Sequence, residues 1–310
     1  MYNEELKNRF LSEYSDSENT IRRIKNTFEM LAPYEEQWGA DICTKSGEDL
    51  RVAFENTLGI RASNRTVVLS TLKQYINWCV ANEVHGANAE FIDTKDVGTG
   101  KILEHMVKSP EHLQSCLNAI FPPAEEKMFD NIFRCFMWLA FSGINENDCI
   151  HITRDHIVPW DRAIIYNDVS YPIYKESIPV FDHLCRAKSL KCDFVRYQKI
   201  HDRVPGSQLL RGVKGESGVD LEVLVHNCSR KIRIARKTMP ACIQLRYRNV
   251  WLSGVFYRAL EVERRGEEPD FASVIKNQYL GRQVPSNNRM KQLVYEYRTD
   301  YQRWKTAFEL

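Results

Sequence analysis

The sequence predicts a mainly α-helical chain of two domains that carries one small β-hairpin. Three observations lead there. Apolar residues recur at helical spacing through most of the chain. A polar, glycine-rich stretch interrupts that pattern from about residue 86 to residue 99. Strand-like alternation around a tight-turn pair appears at Arg162 to Tyr174. At 310 residues the chain is long for one domain and suits two, and 43% hydrophobic with 27% charged residues can build real cores.

The first helix signal is Ser15-Asp-Ser-Glu18, which has capping-box spacing, followed by Ile21, Ile24, Phe28 and Leu31 at helical intervals. A second helix starts at Ser46, with Asp49 three residues on and Leu50, Phe54 and Leu58 on one face. Ser63 opens a third, where Val68, Leu72, Tyr75, Ile76 and Cys79 form a stripe with Trp78 beside it. These make a helical bundle, domain 1–100, whose linker begins at about residue 86.

The second domain is 101–310. A short segment ends near Lys108, and Ser109-Pro110-Glu111 is a strong helix start, with a serine cap and proline in the first turn. A long apolar helix follows from about Ala124 to Phe141. The hairpin then reads Ala-Ile-Ile-Tyr, the turn Asn167-Asp168, and Val-Ser-Tyr-Pro-Ile-Tyr. The remainder reads as helix, broken at Pro205-Gly206 and by a surface loop at Gly212 to Gly218.

Several function classes drop out. The charged N-terminus has no apolar segment of the secretory kind, and the longest apolar run, Cys135 to Phe141, is far too short to span a membrane. Nine cysteines without a Cys-x-x-Cys pair suit reduced thiols in a cytoplasm. Eight histidines show no metal spacing, so no metal and no cofactor are expected. There is no phosphate loop, nucleophile elbow or pair of catalytic carboxylates.

The net charge of +2 hides an asymmetry. Residues 1–100 carry 11 basic against 16 acidic side chains, and residues 186–250 carry 15 against 5. Such a block is the footprint of a phosphate-backbone binder, although an ordinary solvated face has the same composition.

The segment Phe141-Ser-Gly-Ile-Asn-Glu-Asn-Asp-Cys-Ile-His-Ile152 resembles a motif of the tyrosine recombinases, or phage integrases. That motif reads roughly Thr-Gly-Leu-Arg-Ile-Ser-Glu-Leu, and Gly143, Ile144, Asp148 and Ile150 to Ile152 fall in place. Upstream, Trp38, Asp41-Ile42, Ser63 to Thr66 and Tyr75-Ile-Asn-Trp78 follow the order of that family's SAM-like core-binding domain. The resemblance runs from about residue 15 to residue 300, with Leu245-Arg246 and Leu280-Gly281 as its best-matched motifs. It implies a core-binding bundle followed by an integrase catalytic-type domain.

In that family a tyrosine attacks a DNA phosphate held by two arginines and a histidine or lysine, and a hairpin lysine protonates the leaving oxygen. Asn145 stands where the first arginine belongs. The hairpin turn offers Asn167 and Asp168, and Lys175 falls after the hairpin. His-x-Leu-Arg-His becomes Ile243-Gln-Leu-Arg246-Tyr247, and Leu-Gly-His becomes Leu280-Gly281-Arg282. Lys291 occupies the nucleophile's slot; the nearby Tyr295, Tyr297 and Tyr301 read as packing, since 294, 297, 301 and 304 share a helix face. Each lost transition-state donor costs about 10²- to 10³-fold in rate.

The resemblance therefore implies a DNA binder without strand exchange: a transcription regulator, a prophage repressor that maintains lysogeny. Double-stranded operator DNA would lie in a cleft between the domains, with a small protein or peptide regulator as a further candidate partner. Arg246, Arg248, Arg230, Lys231, Arg233, Arg236 and Lys237 would hold phosphates, and Arg61, Arg65 and Lys73 would form a second strip. Arg246 has a rival role, as a buried ion pair bridging helices. Two other functions stay open, an active recombinase that uses Arg246 and one of the three tyrosines, and a protein-interaction scaffold.

Overall fold

The computed structural model describes residues 1–13, 18–57, 62–88, 100–121, 128–194, 197–203, 205–211, 220–239, 243–279 and 284–310. In chain order it contains α1 (Glu4–Ser12), α2 (Glu18–Trp38), α3 (Gly47–Thr57), α4 (Ala62–Ala81), α5 (Gly100–His105), α6 (Pro110–Ile120) and α7 (Met128–Ser142). The strands β1 (Ile157–Val158), β2 (Ala163–Tyr166) and β3 (Val169–Pro172) follow, then α8 (Ile178–Arg186), β4 (Ser189–Phe194) and β5 (Tyr197–Asp202). Four helices complete the chain: α9 (Leu221–Thr238), α10 (Tyr247–Arg264), α11 (Phe271–Gln278) and α12 (Asn287–Phe308). The class is mainly α with small antiparallel sheets.

Two compact units result, Met1–Leu103 with Pro285–Leu310, and Glu104–Val284. The first boundary falls inside α5, just beyond the glycine-rich stretch. The second differs from the expected division, because 285–310 group with the N-terminal bundle. The cause lies in α12, whose buried Leu293, Tyr297, Tyr301 and Trp304 give it an apolar face, and which packs against α4.

Three expected helices of the bundle are present. Ser46 and Asp49 bond reciprocally at the start of α3, and Leu50 and Phe54 are buried. Leu72, Tyr75, Ile76 and Cys79 of α4 are buried as their stripe requires. Ser15 and Leu58 lie outside the described residues, as does the side chain of Ser63, whose backbone is in the first turn of α4. One helix was not anticipated: α1 adds Phe10, whose ring meets Tyr75 edge-on at 5.2 Å. Beneath these rings lies a buried charge cluster. Lys7 pairs with Glu35, which also accepts from the Ile42 N–H at 2.9 Å. Asp41 accepts from the Tyr75 hydroxyl at 3.0 Å and the Asn3 amide at 3.1 Å. Burial pushes the Glu35 carboxyl above the usual carboxylate range, with Lys7 pulling it back.

In the second unit, the Ser109 side chain caps α6 by accepting from the His112 N–H at 3.2 Å. The helix α7 is buried on every side from Ile132 to Ser142, as a helix so largely apolar must be, and Arg134, the charged residue in that span, donates to the Phe121 carbonyl. It crosses α10 at Gly254, where an added Cβ would stand 1.9 Å from the Phe141 carbonyl oxygen. Only glycine allows that approach.

The strands β1, β2 and β3 form one antiparallel sheet in that order, with Ala163 opposite Pro172 and Tyr166 opposite Val169. The hairpin turn is the expected Asn167-Asp168 pair, at φ 51° and 60°, as a two-residue type I′ turn requires. A second hairpin, β4–β5, pairs Ser189 with Asp202 through to Phe194 with Tyr197, in a region expected to be helical. The alternation Leu-Lys-Cys-Asp-Phe at 190–194 was its signal.

Candidate nucleic-acid interface

The C-terminus of α7 positions the first half of the site. Gly143, at φ 109°, turns the chain, its N–H bonding the Ala140 carbonyl while the Ile144 N–H bonds that of Leu139. This is a Schellman closure, and it explains the glycine by backbone geometry alone. One face of α10 then takes the remaining carbonyls. Arg258 donates to Phe141 O at 2.7 Å, the Trp251 indole to Gly143 O at 2.9 Å, and the Tyr247 hydroxyl to Ile144 O at 2.9 Å. Tyr247 is buried, and burial holds its phenol well above its ordinary pKa. It is a bolt between helices.

Asn145 is half-buried, and its amide donates to Asp148 Oδ2 at 3.2 Å. It shares a cavity of about 120 Å³ with Ser170 and Tyr171 of β3 and with Arg258. The structure thus brings Asn145 and the hairpin together, while Asp168 is exposed at the turn. Ile243 is half-buried just before α10, Lys291 is exposed on α12 in the other unit, and Arg282 lies outside the described residues. Of the three tyrosines on α12, Tyr297 and Tyr301 are buried and Tyr295 is 70% exposed.

The second half is a basic groove of about 420 Å³. His226, Arg230, Arg233 and Arg236 line it from one face of α9, and Gln244 to Arg246 close it from the approach to α10. Its lining contains no acidic residue. Arg236 donates to Gln244 Oε1 at 2.7 Å, and the Gln244 N–H donates to Glu104 O at 2.9 Å, so the segment before α10 is held in place. Arg246 is the extended N-cap residue of α10, placing its charge at the positive end of an 18-residue helix. It is exposed, and among the described residues no hydrogen bond or ion pair engages its guanidinium. That removes the buried-bridge role. His226 and Gln244 were not singled out from sequence; the spacing 226, 230, 233 and 236 on one helix face was the available clue.

Other expected contacts divide. Burial raises the Glu146 carboxyl above the usual carboxylate range, and Arg248, itself exposed, draws it only partly back. Lys237 is exposed near the end of α9, and Lys73 is exposed on α4. Lys231 is not part of the groove: it pairs with Asp130 and lies 5.8 Å from the Phe133 ring centre, facing α7. Arg65 is buried beside Arg303, whose guanidinium is pushed down to about 10 by burial and by that neighbouring charge. It cannot reach a nucleic acid from there. Arg61 lies outside the described residues.

Residues 1–81 match a family model described as the MrpR N-terminal core-binding domain. The crystal structure of XerA recombinase is similar at 11% identity and a TM-score of 0.36, covering 96% of this chain and 99% of that one. No curated protein matches the chain. The first unit is therefore similar to a core-binding domain. Among the described residues no helix is long and apolar enough to cross a membrane.

Proposed function

We propose that this chain is a sequence-specific DNA-binding transcription regulator, a prophage repressor that maintains lysogeny on a tyrosine-recombinase architecture without strand exchange. Among such proteins it resembles the master repressor of SPβ-type prophages. The observation that carries the reading is the basic groove. Arg230, Arg233 and Arg246 converge with a helix N-terminus and no carboxylate, which suits a backbone phosphate. The positions that would turn phosphate binding into chemistry hold Asn145, Asp168 and Ile243, none of which supplies a positive charge. Phosphate contacts give affinity and register, and base-edge contacts from exposed helix faces give sequence preference. The match of residues 1–81 to a core-binding domain supports the same reading for the first unit.

A gel-shift series with native promoter DNA and random DNA tests this. The expected outcome is preference for the promoter, with affinity falling steeply as salt rises. Equal affinity for both removes the regulator. The exposed Tyr295 favours a second reading, an active recombinase. A nicked suicide substrate separates the two: free DNA alone on a denaturing gel supports the repressor, and an adduct lost in Tyr295→Phe establishes the enzyme.

A further inference from the structure

Away from the arginine groove, β1, the end of β3 and α8 enclose a second cavity, of about 290 Å³. Ile157, Pro159, Ile173, Ile178 and Phe181 give it an apolar wall. Beside it stands Trp160, 83% exposed, on the tight turn Pro159–Arg162. That turn is closed by the Arg162 N–H donating to Pro159 O at 3.2 Å, with Arg162 at φ 48°. Scattered exposed apolar residues are ordinary, but a tryptophan held out next to an empty apolar cavity is a knob beside a hole.

We infer that this surface is a two-fold interface between two copies of the chain, each Trp160 entering the other copy's cavity. Size is the first argument. The cavity falls just below the roughly 300–1,000 Å³ of small-molecule sites and is ample for one aromatic side chain. Charge is the second. The cavity's polar lining is Arg154, Arg162, Asp155 and Asp182, two charges of each sign, within a unit whose stretch 186–250 is strongly basic. A face that meets itself must not carry one sign, and this lining is balanced, with Arg154 3.6 Å from Asp155 and Asp182 paired to Arg186 within the same chain. A nucleic acid or an acidic partner would require a net positive rim. Symmetry is the third, since one rotation satisfies both knob and hole. The turn also fixes the backbone that carries Trp160 before contact, so little main-chain freedom is lost on docking.

Sedimentation of the full chain over a concentration series tests the interface. The wild type should dimerise reversibly. Trp160→Ala should weaken association at least about 30-fold per indole lost, the factor for a tryptophan hot spot, with an unchanged melting temperature. Ile178→Glu should also give a monomer; Ile178 is 40% exposed, so the new charge stays solvated in the single copy. Mixing the two variants is decisive. Trp160→Ala supplies an open cavity and Ile178→Glu an intact indole, so the mixture should dimerise more strongly than either variant alone. A wild type that stays monomeric, a dimer that survives Trp160→Ala, or a mixture no stronger than its components would overturn the proposal.

Discussion

Basic side chains do opposite work in the N-terminal bundle and in the α9–α10 groove. In the bundle, Lys7 is fully buried and neutralises Glu35 beneath a layer of aromatic rings. In the groove, Arg230, Arg233 and Arg246 point at solvent with no carboxylate among them. The difference lies in what surrounds the charge. A buried cation is held by its partner and is lost with it, whereas an exposed, unpaired one is available to an outside anion and costs the fold little. The basic run 186–250 contains both kinds. Arg203 is buried and donates to the carbonyls of Leu184 at 2.6 Å and Leu209 at 2.7 Å.

The contrast predicts its own largest effect in the bundle. Lys7→Met should destabilise the first unit by about 3–5 kcal/mol, because it strands a buried carboxylate. Glu35 is already raised by burial, and without Lys7 it rises further. A raised carboxyl costs nothing below its unfolded pKa and destabilises increasingly as pH climbs through the folded value. Denaturant melts of the variant should therefore show a deficit that is larger at pH 8 than at pH 5; a pH-independent deficit would mean that Glu35 is not the group left behind.

The next effect concerns packing that carries no charge. Gly254→Ala drives a methyl into the Phe141 carbonyl and should cost at least about 1–3 kcal/mol by forcing α7 and α10 apart. DNA affinity should fall only as far as the folded fraction falls. Lys231→Met sharpens the comparison within α9 itself. Its loss leaves Asp130 unpaired, so thermal melting should drop while the salt dependence of binding stays unchanged. Arg246→Ala should do the reverse, melting as the wild type does, weakening binding to all sequences and flattening the log K against log salt slope by roughly one unit. If Lys231→Met flattens the slope and Arg246→Ala lowers the melting temperature, the inward and outward assignments are exchanged.

Periodicity made most of this fold legible. The stripes on α3 and α4, the cap of α6 and the Asn167-Asp168 turn are local signals, and each appears where its residues require it. The hairpin β4–β5 was missed because its apolar alternation is short and mixed with lysines, which a helix tolerates equally well. The site was legible by residue type but not by direction. Arg65 and Lys231 resemble Arg230 and Arg246 in a list of charges; only burial and a neighbouring carboxylate or arginine tell them apart. The resemblance placed Gly143 and Tyr247 in motif positions; backbone geometry explains the first, and a buried phenol bonded to the Ile144 carbonyl explains the second.

The placement of α12 has a consequence for how the molecule comes into being. Its residues 285–310 share a unit with residues 1–103, so the N-terminal bundle gains its last helix only after all of 104–284 has been synthesised. At about 5–20 residues per second, that wait lasts roughly ten to forty seconds. Through it, the flank of α4 that packs against α12 is uncovered on the ribosome. The intervening unit meanwhile has every residue it needs to fold. Birth order and spatial order are reversed here, and the older unit is the later one to close.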